Sequence, residues 1–204
     1  MYRKFFKRFL DIIFSIIGII FLLPIYLIIS IVVFFSMGNP ILFSQERIGL
    51  GEKTFRLYKY RSMTNEKDKN GYLLDEQKRL TKVGVVLRSS SLDEIPELFS
   101  ILKGDMSFVG PRPLPTYYAP YFFENEKKRH TVKGGLIPPD GLCGETTPQW
   151  EKQFEFDIYY VNNVSFLLDI RIILATFNIL FQRMENNYGA EDRPHLNEYR
   201  KGRY

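Results

Sequence analysis

Ile12-Ile13-Phe14-Ser15-Ile16-Ile17-Gly18-Ile19-Ile20-Phe21-Leu22-Leu23-Pro24-Ile25-Tyr26-Leu27-Ile28-Ile29-Ser30-Ile31-Val32-Val33-Phe34-Phe35 contains no charged residue. About 20 apolar residues suffice to cross a bilayer as a helix. A secretory signal would have a shorter core and a small-residue cleavage site, and Met37-Gly38-Asn39-Pro40 is a poor one. The remaining readings are a straight transmembrane anchor, a buried core helix and a re-entrant hairpin. Pro24 lies mid-run, where it removes a backbone donor and bends or breaks a helix. Basic residues flank both sides: Arg3, Lys4, Lys7 and Arg8 before, and Arg47, Lys53, Arg56, Lys59 and Arg61 after. Positive flanks favour the cytoplasmic side, so both ends are expected there. The expectation is a re-entrant membrane anchor over residues 1–38, broken at Pro24, with its basic start against anionic lipid headgroups.

Outside that run the charge is nearly balanced. The chain has 204 residues, 28 Lys and Arg against 23 Asp and Glu, and a net charge of +5. Four of those five net charges fall in the first eight residues, so the basic pI of 9.2 does not imply a nucleic-acid surface. One cysteine, Cys143, excludes an intrachain disulfide framework and a Cys-rich zinc site. Two isolated histidines, His130 and His195, argue against a His-based metal site. There is no Walker A loop, dinucleotide fingerprint or internal repeat.

Ile41–Ile48 and Lys53–Arg61 flank Gly49-Leu50-Gly51-Glu52 and read as a β-hairpin, with Phe55, Leu57, Lys59 and Arg61 on one face. Thr64–Arg79 is charge-dense and reads as a surface loop turning at Asn70-Gly71. In Ser91-Leu92-Asp93-Glu94-Ile95-Pro96-Glu97-Leu98-Phe99-Ser100-Ile101-Leu102, the residues Leu92, Ile95, Phe99 and Leu102 recur at helical spacing. Pro96 belongs in a first turn, which places Asp93 at or beside the N-cap. Asp93-Glu94 is then either an ordinary helix start or a carboxylate pair available as nucleophile or metal ligand.

Arg112 is bracketed by Pro111 and Pro113, which suits holding a guanidinium against a phosphate but also a rigid turn with an exposed cation. Val164–Phe181 is amphipathic and very apolar, fit for core or for a membrane interface. The Asn163-Val164-Ser165 sequon is discounted on a cytoplasmic-facing chain. From Glu185 the chain reads as an irregular polar tail. The fold class is α+β, mostly α: the anchor, a small cytoplasmic-face domain over 39–184 with a short β-hairpin and interfacial amphipathic helices, and the tail 185–204.

The ordered set of segments resembles the small monotopic phosphoglycosyl transferases of the bacterial sugar transferase family, and within it the enzymes initiating Campylobacter-type N-glycan assembly. The matching segments are the Pro-broken apolar hairpin, Phe55–Met63, Arg88–Leu98, Lys103–Pro113 and Phe154–Val161. The resemblance implies transfer of a phosphosugar from a UDP-sugar to polyprenyl (undecaprenyl) phosphate with release of UMP, Mg2+ as cofactor, and a ping-pong aspartyl-phosphosugar intermediate. The same resemblance implies that this is the first membrane step of bacterial glycoconjugate assembly. By the same likeness Asp93 is the nucleophile, and Glu94 sets up the metal or the protonation state, the two carboxylates holding Mg2+. Arg88, Arg112 and Lys59 bind phosphate, and Asp157 is a further polar member. The implied place is the cytoplasmic face of the bacterial inner membrane, with membrane lipids and downstream glycosyltransferases as partners.

Two departures stand out. Relatives commonly place Ser-Pro at the hairpin break, where this chain has Leu23-Pro24. After His130 the usual Pro-Gly-Ile-Thr-Gly-Trp stretch and its closing Asn-Gly-Arg are replaced by Gly134–Glu145, with Glu145 where an Arg is usual. Glu145 is therefore either a determinant of sugar specificity or an exposed residue on a diverged loop. A catalytically inactive membrane scaffold and a Mg2+-dependent nucleotide-sugar hydrolase are the rival functions.

Overall fold

The computed structural model describes residues 2–185 and 193–202. After a short π-helical turn (Tyr2–Phe6) come α1 (Lys7–Met37), β1 (Leu42–Ile48), β2 (Thr54–Tyr60), α2 (Glu76–Arg79), α3 (Lys82–Ser89) and α4 (Glu97–Lys103). β3 (Met106–Val109), α5 (Glu124–Lys127), β4 (Gly134–Ile137), α6 (Trp150–Asn163), α7 (Phe166–Glu185) and α8 (Leu196–Tyr199) follow. The expected hairpin forms as an antiparallel pair running from Leu42↔Tyr60 to Ile48↔Thr54. A parallel pair, β3 with β4, was not foreseen from the sequence. It depends on glycine: a Cβ on Gly135 would lie 2.1 Å from the Gly110 nitrogen.

The apolar run is one helix of 31 residues with Pro24 inside it, so the proline does not end the helix. Proline deletes one helical hydrogen bond, whereas a full break would leave several backbone groups without partners in apolar surroundings. One stripe of α1 packs on the domain: Asp11, Ser15, Ile29 and Val33 are buried, and Tyr60 and Leu87 meet Ile29 and Val33. The opposite stripe, including Phe21, Leu27, Ile28 and Phe35, is exposed. Buried aliphatics of this kind contribute roughly 1.5–3 kcal/mol each.

Arg3, Lys7 and Arg8, at and just before the start of α1, bond to protein groups. Arg8 donates to the carbonyls of Ile101 (2.5 Å) and Leu102 (2.7 Å). Those acceptors sit in the last turn of α4, where carbonyls lack helical partners and a cation is favoured. Arg3 donates to the Thr131 carbonyl at 2.6 Å, and Lys7 pairs with Asp169 at 2.5 Å. At the other end Arg61 donates to the Met37 carbonyl at 3.1 Å. Both ends of α1 are thus clasped by the same domain.

Three further expectations need correction. The inward residues of α4 are Glu97, Leu98, Ser100 and Ile101, while Phe99 is exposed, because a 3-10 turn at Leu92–Glu94 precedes α4 and shifts the helical phase. The charge-dense stretch ends in α2, whose Glu76 lies 3.5 Å from Arg88. Within the C-terminal segment, the described residues 193–202 dock on the domain instead of trailing as a tail. There Leu196 and Arg200 are buried, Arg193 lies 3.7 Å over the Trp150 ring, and Arg200 bonds both oxygens of Glu126 at 2.7 Å. Polar composition hid this because the docking groups are arginines with paired heads and buried stems.

α7 is two-faced. Leu168, Asp169, Ile172 and Ile179 point inward, and Phe166, Leu167, Leu174, Phe177 and Phe181 are exposed. Tyr2 packs edge-on against Phe166 at 5.9 Å, so this apolar face begins beside the start of α1.

Candidate active site

The site forms where β2, the turn before α4 and the Pro111-Arg112-Pro113 segment converge. Ser91 has φ of 56°, a left-handed conformation uncommon for a residue with a side chain, and directly precedes the 3-10 turn carrying Asp93 and Glu94. α4 starts only at Glu97, and neither Asp93 nor Glu94 caps it. Asp93 is 7% exposed, yet among the described residues no hydrogen bond or ion pair reaches its carboxylate. Burial pushes Asp93 up to about 6, with Lys59, Arg88 and Arg112 pulling the other way.

Glu94 is the opposite case. Its Oε1 accepts from Lys59 at 2.5 Å and from Arg112 at 3.0 Å. Burial opposes its charge, but Arg112 and Lys59 outweigh it and hold Glu94 well below the usual carboxylate range. Lys59 comes from the inward face of β2 and also lies 3.3 Å from Glu97. Burial disfavours the ammonium, yet Glu94 and Glu97 raise Lys59 above its ordinary value. A narrow cleft opens beside these groups, lined by Arg47, Lys59, Glu97 and Arg112 among others but not by Asp93 or Glu94.

The structure therefore brings Lys59, Asp93, Glu94 and Arg112 together. Arg88 borders them from the end of α3: its charge acts on Asp93, and its Nε donates to Ser62 Oγ at 3.0 Å. Asp157 stands behind the site. It is fully buried and pairs with Arg129 (3.0 and 2.8 Å), and Arg129 Nη2 donates to the Arg112 carbonyl at 2.7 Å. Glu145 is half exposed and paired with Lys152, with no contact to the Asp93 group among the described residues.

Three site residues escaped the sequence reading. Glu97 is buried, and burial lifts it to about 7 against the pull of Lys59. Its position one helical turn after Asp93-Glu94, next to the buried Leu98, was a usable signal. Arg47, which donates to the Pro113 carbonyl at 3.1 Å, and Arg129 arrive only through tertiary folding.

Residues 2–183 match the family model described as bacterial sugar transferase. Among curated relatives, the uncharacterised sugar transferase EpsL of Bacillus subtilis is 47% identical over 145 residues, 71% of this chain and 72% of that protein. The UDP-N-acetylgalactosamine-undecaprenyl-phosphate N-acetylgalactosaminephosphotransferase of Aeromonas hydrophila is 32% identical over 86% of this chain and 44% of its own. For the UDP-glucose:undecaprenyl-phosphate glucose-1-phosphate transferase of Klebsiella pneumoniae the figures are 39% identity, 84% and 39%. The chain thus spans less than half the length of the latter two. With a match over nearly its whole described length, the chain belongs to the bacterial sugar transferase family, and with it to the phosphoglycosyl transferases.

Proposed function

We propose that this chain transfers a phosphosugar from a UDP-sugar to undecaprenyl phosphate, releasing UMP, through a covalent intermediate on Asp93. The observation that carries the proposal is the buried Asp93 carboxylate, engaged by no donor, beside a partnered Glu94 and the cations Lys59, Arg88 and Arg112. A carboxylate without hydrogen bonds is not stabilised in place, and its oxygens remain available to a phosphorus centre. One Asp93 oxygen attacks the phosphorus bearing the sugar, and the bond to UMP breaks with its electron pair leaving on UMP. An oxygen of the lipid phosphate then attacks the same phosphorus and frees the Asp93 carboxylate. Two substrates, one from water and one from the membrane, use one nucleophile in turn. Phosphoryl transfer needs positioning and neutralisation of charge, which Arg112 and Lys59 supply at the cleft. Glu94 holds both cations in place between turnovers.

Mg2+ fits this donor set. Asp93 has no competing hydrogen bond, and Glu94 engages its cations through Oε1 alone. Mg2+ is commonly held by one or two carboxylates plus substrate phosphates. Asp93 and Glu94 would hold it, and when bound it would neutralise charge on the diphosphate.

The anchor follows the same logic. α1 is long and apolar enough to cross a membrane, but its two ends are clasped by one domain through Arg8 and Arg61. That supports a helix that enters and leaves by the cytoplasmic face of the inner membrane. Tyr26 donates to the Ile95 carbonyl at 2.5 Å, two residues from Asp93, so the anchor sets the nucleophile close to the lipid plane. The apolar face of α7 extends that contact.

The test is UMP release from UDP-sugars with and without undecaprenyl phosphate. Release stimulated by the lipid and abolished in Asp93→Asn supports the transferase. Lipid-indifferent release supports a hydrolase, and absence of release from any UDP-sugar supports a scaffold.

A further inference from the structure

Residues 193–202 lie beyond the stretch 2–183 that matches the family model, yet they are fastened to the domain along their length. Arg193 donates to the Pro148 carbonyl at 2.6 Å and to Gln153 Oε1 at 2.7 Å, besides covering the Trp150 ring. Trp150 Nε1 donates in turn to the Pro194 carbonyl at 3.0 Å. His195 Nδ1 and Tyr118 Oη share a hydrogen bond of 2.9 Å, and Tyr199 Oη donates to Glu151 at 2.8 Å. Arg200 adds a bond of 2.6 Å to the Tyr121 carbonyl to its two bonds with Glu126. A cation on an aromatic face and a buried two-oxygen arginine–carboxylate pair are strong contacts for so short a segment.

These contacts hold the wall behind Arg112. Leu196 is fully buried in one cluster with Ile48, Leu114, Trp150 and Phe154. Leu114 follows Pro113, and its carbonyl accepts from the Ile48 nitrogen at 3.0 Å. Arg200 acts from another side. The Phe154 ring carries two guanidiniums, that of Arg200 at 5.2 Å and that of Arg129 at 5.4 Å. Glu126, gripped by Arg200, also accepts from the Phe123 nitrogen at 2.9 Å and so fixes the start of α5, just ahead of Arg129. Arg129 holds the Arg112 carbonyl. Gln153, fully buried and bonded by Arg193, lies one turn of α6 before Asp157, the partner of Arg129. We propose that residues 193–202 are a strap that positions Arg112, with Leu196 and Arg200 as positioning residues. Phosphoryl transfer depends on placing charge to within about 1 Å, so slack in the Arg112 backbone lowers turnover although no reacting group is lost. This role rests on the transfer reaction proposed above, with Arg112 as a phosphate-binding cation, and adds the segment that keeps that cation in place.

The test uses the full chain in membranes with two separate variants. Leu196→Ala removes packing and leaves no buried charge unpaired. Arg200→Lys keeps the charge but loses the planar fork that reaches both Glu126 oxygens. Each should lower kcat for lipid-dependent UMP release about 10-fold, with KM for the UDP-sugar within about two-fold. Backbone hydrogen exchange over 108–118 should quicken in the same variants, with exchange in α1 as in the wild type. Combined with Asp157→Asn, neither should lower kcat much further, since all three changes loosen one segment; a merely structural role makes the losses multiply. Asp169→Asn, which weakens the fold at the start of α1, is the control for stability loss alone and should leave exchange over 108–118 unchanged. Unchanged kcat in both folded variants, unchanged exchange over 108–118, or losses that multiply with Asp157→Asn overturn the strap. Lipid-stimulated UMP release dependent on Asp93 would survive each of those results, so the two failures are distinguishable.

Discussion

Asp93 and Asp169 are both buried aspartates, at 7% and 4% exposure, and their surroundings could hardly differ more. Asp169 accepts from Tyr2 Oη and Lys7 Nζ at 2.5 Å each, and from Tyr160 Oη at 2.8 Å. It clasps the first turn of α1 to α7 and the core. Asp93 has cations around it and accepts from none of the described residues. A buried carboxylate that is fully bonded serves the fold, whereas the Asp93 oxygens, held by no donor among the described residues, are left to solvent and ligands.

The largest expected effects invert between these two positions. Asp93→Asn should lower lipid-dependent turnover by at least about 1000-fold with thermal stability unchanged or raised. Asp169→Asn should cost about 3 kcal/mol, because the largely covered Lys7 loses its counter-charge. Activity per folded molecule in that variant should stay within a few-fold. Thermal unfolding and UMP release measured on the same membrane preparations check both. A severe stability loss in Asp93→Asn would break the contrast.

A second pair of effects concerns the supports of the site. Asp157→Asn loosens Arg129 and with it the Arg112 carbonyl, so kcat should fall roughly 10- to 100-fold with KM less affected. Steady-state kinetics with varied UDP-sugar reads that split. Glu97→Gln should act on stability with a definite pH sign. Burial raises Glu97 to about 7, from an ordinary 4.5. A carboxyl raised in the folded state stabilises the fold below its unfolded value and loses that contribution as pH climbs through 4.5 to 7. Gln does not titrate, so the variant should gain on the wild type as pH rises across that window. Melting curves from pH 4 to 8 measure the difference.

The smallest effect is expected at Glu145. Its pair with Lys152 is half exposed, and such pairs contribute about 0–1 kcal/mol. Glu145→Arg should leave the preference across a UDP-sugar panel within about two-fold. A clear change in preferred sugar would make that residue a specificity determinant.

Much of the fold was legible locally. Alternating Phe55, Leu57 and Lys59 marked β2 and its inward face, and the uncharged run marked α1. What failed was phase and distance. A helical period drawn straight through Pro96 selected Phe99, since the turn ahead of α4 breaks the register. The polar letters of 193–202 concealed arginines that bury their stems. The parallel β3–β4 pair and the Asp157–Arg129–Arg112 support join residues far apart in the chain, which no local pattern encodes. For the site, Asp93 and Glu94 were visible as a pair, but local sequence could not tell the cap from the nucleophile. The absence of a cap hydrogen bond and the cations gathered around Asp93 favour the second.

The central claim is that the buried, unpartnered carboxylate is the nucleophile. Intact-protein mass spectrometry after incubation with a UDP-sugar and Mg2+, without lipid acceptor, tests it most directly. The account predicts a mass increase of one phosphosugar, discharged by undecaprenyl phosphate and missing in Asp93→Asn. Full turnover without any adduct, or an adduct that persists in Asp93→Asn, would contradict it.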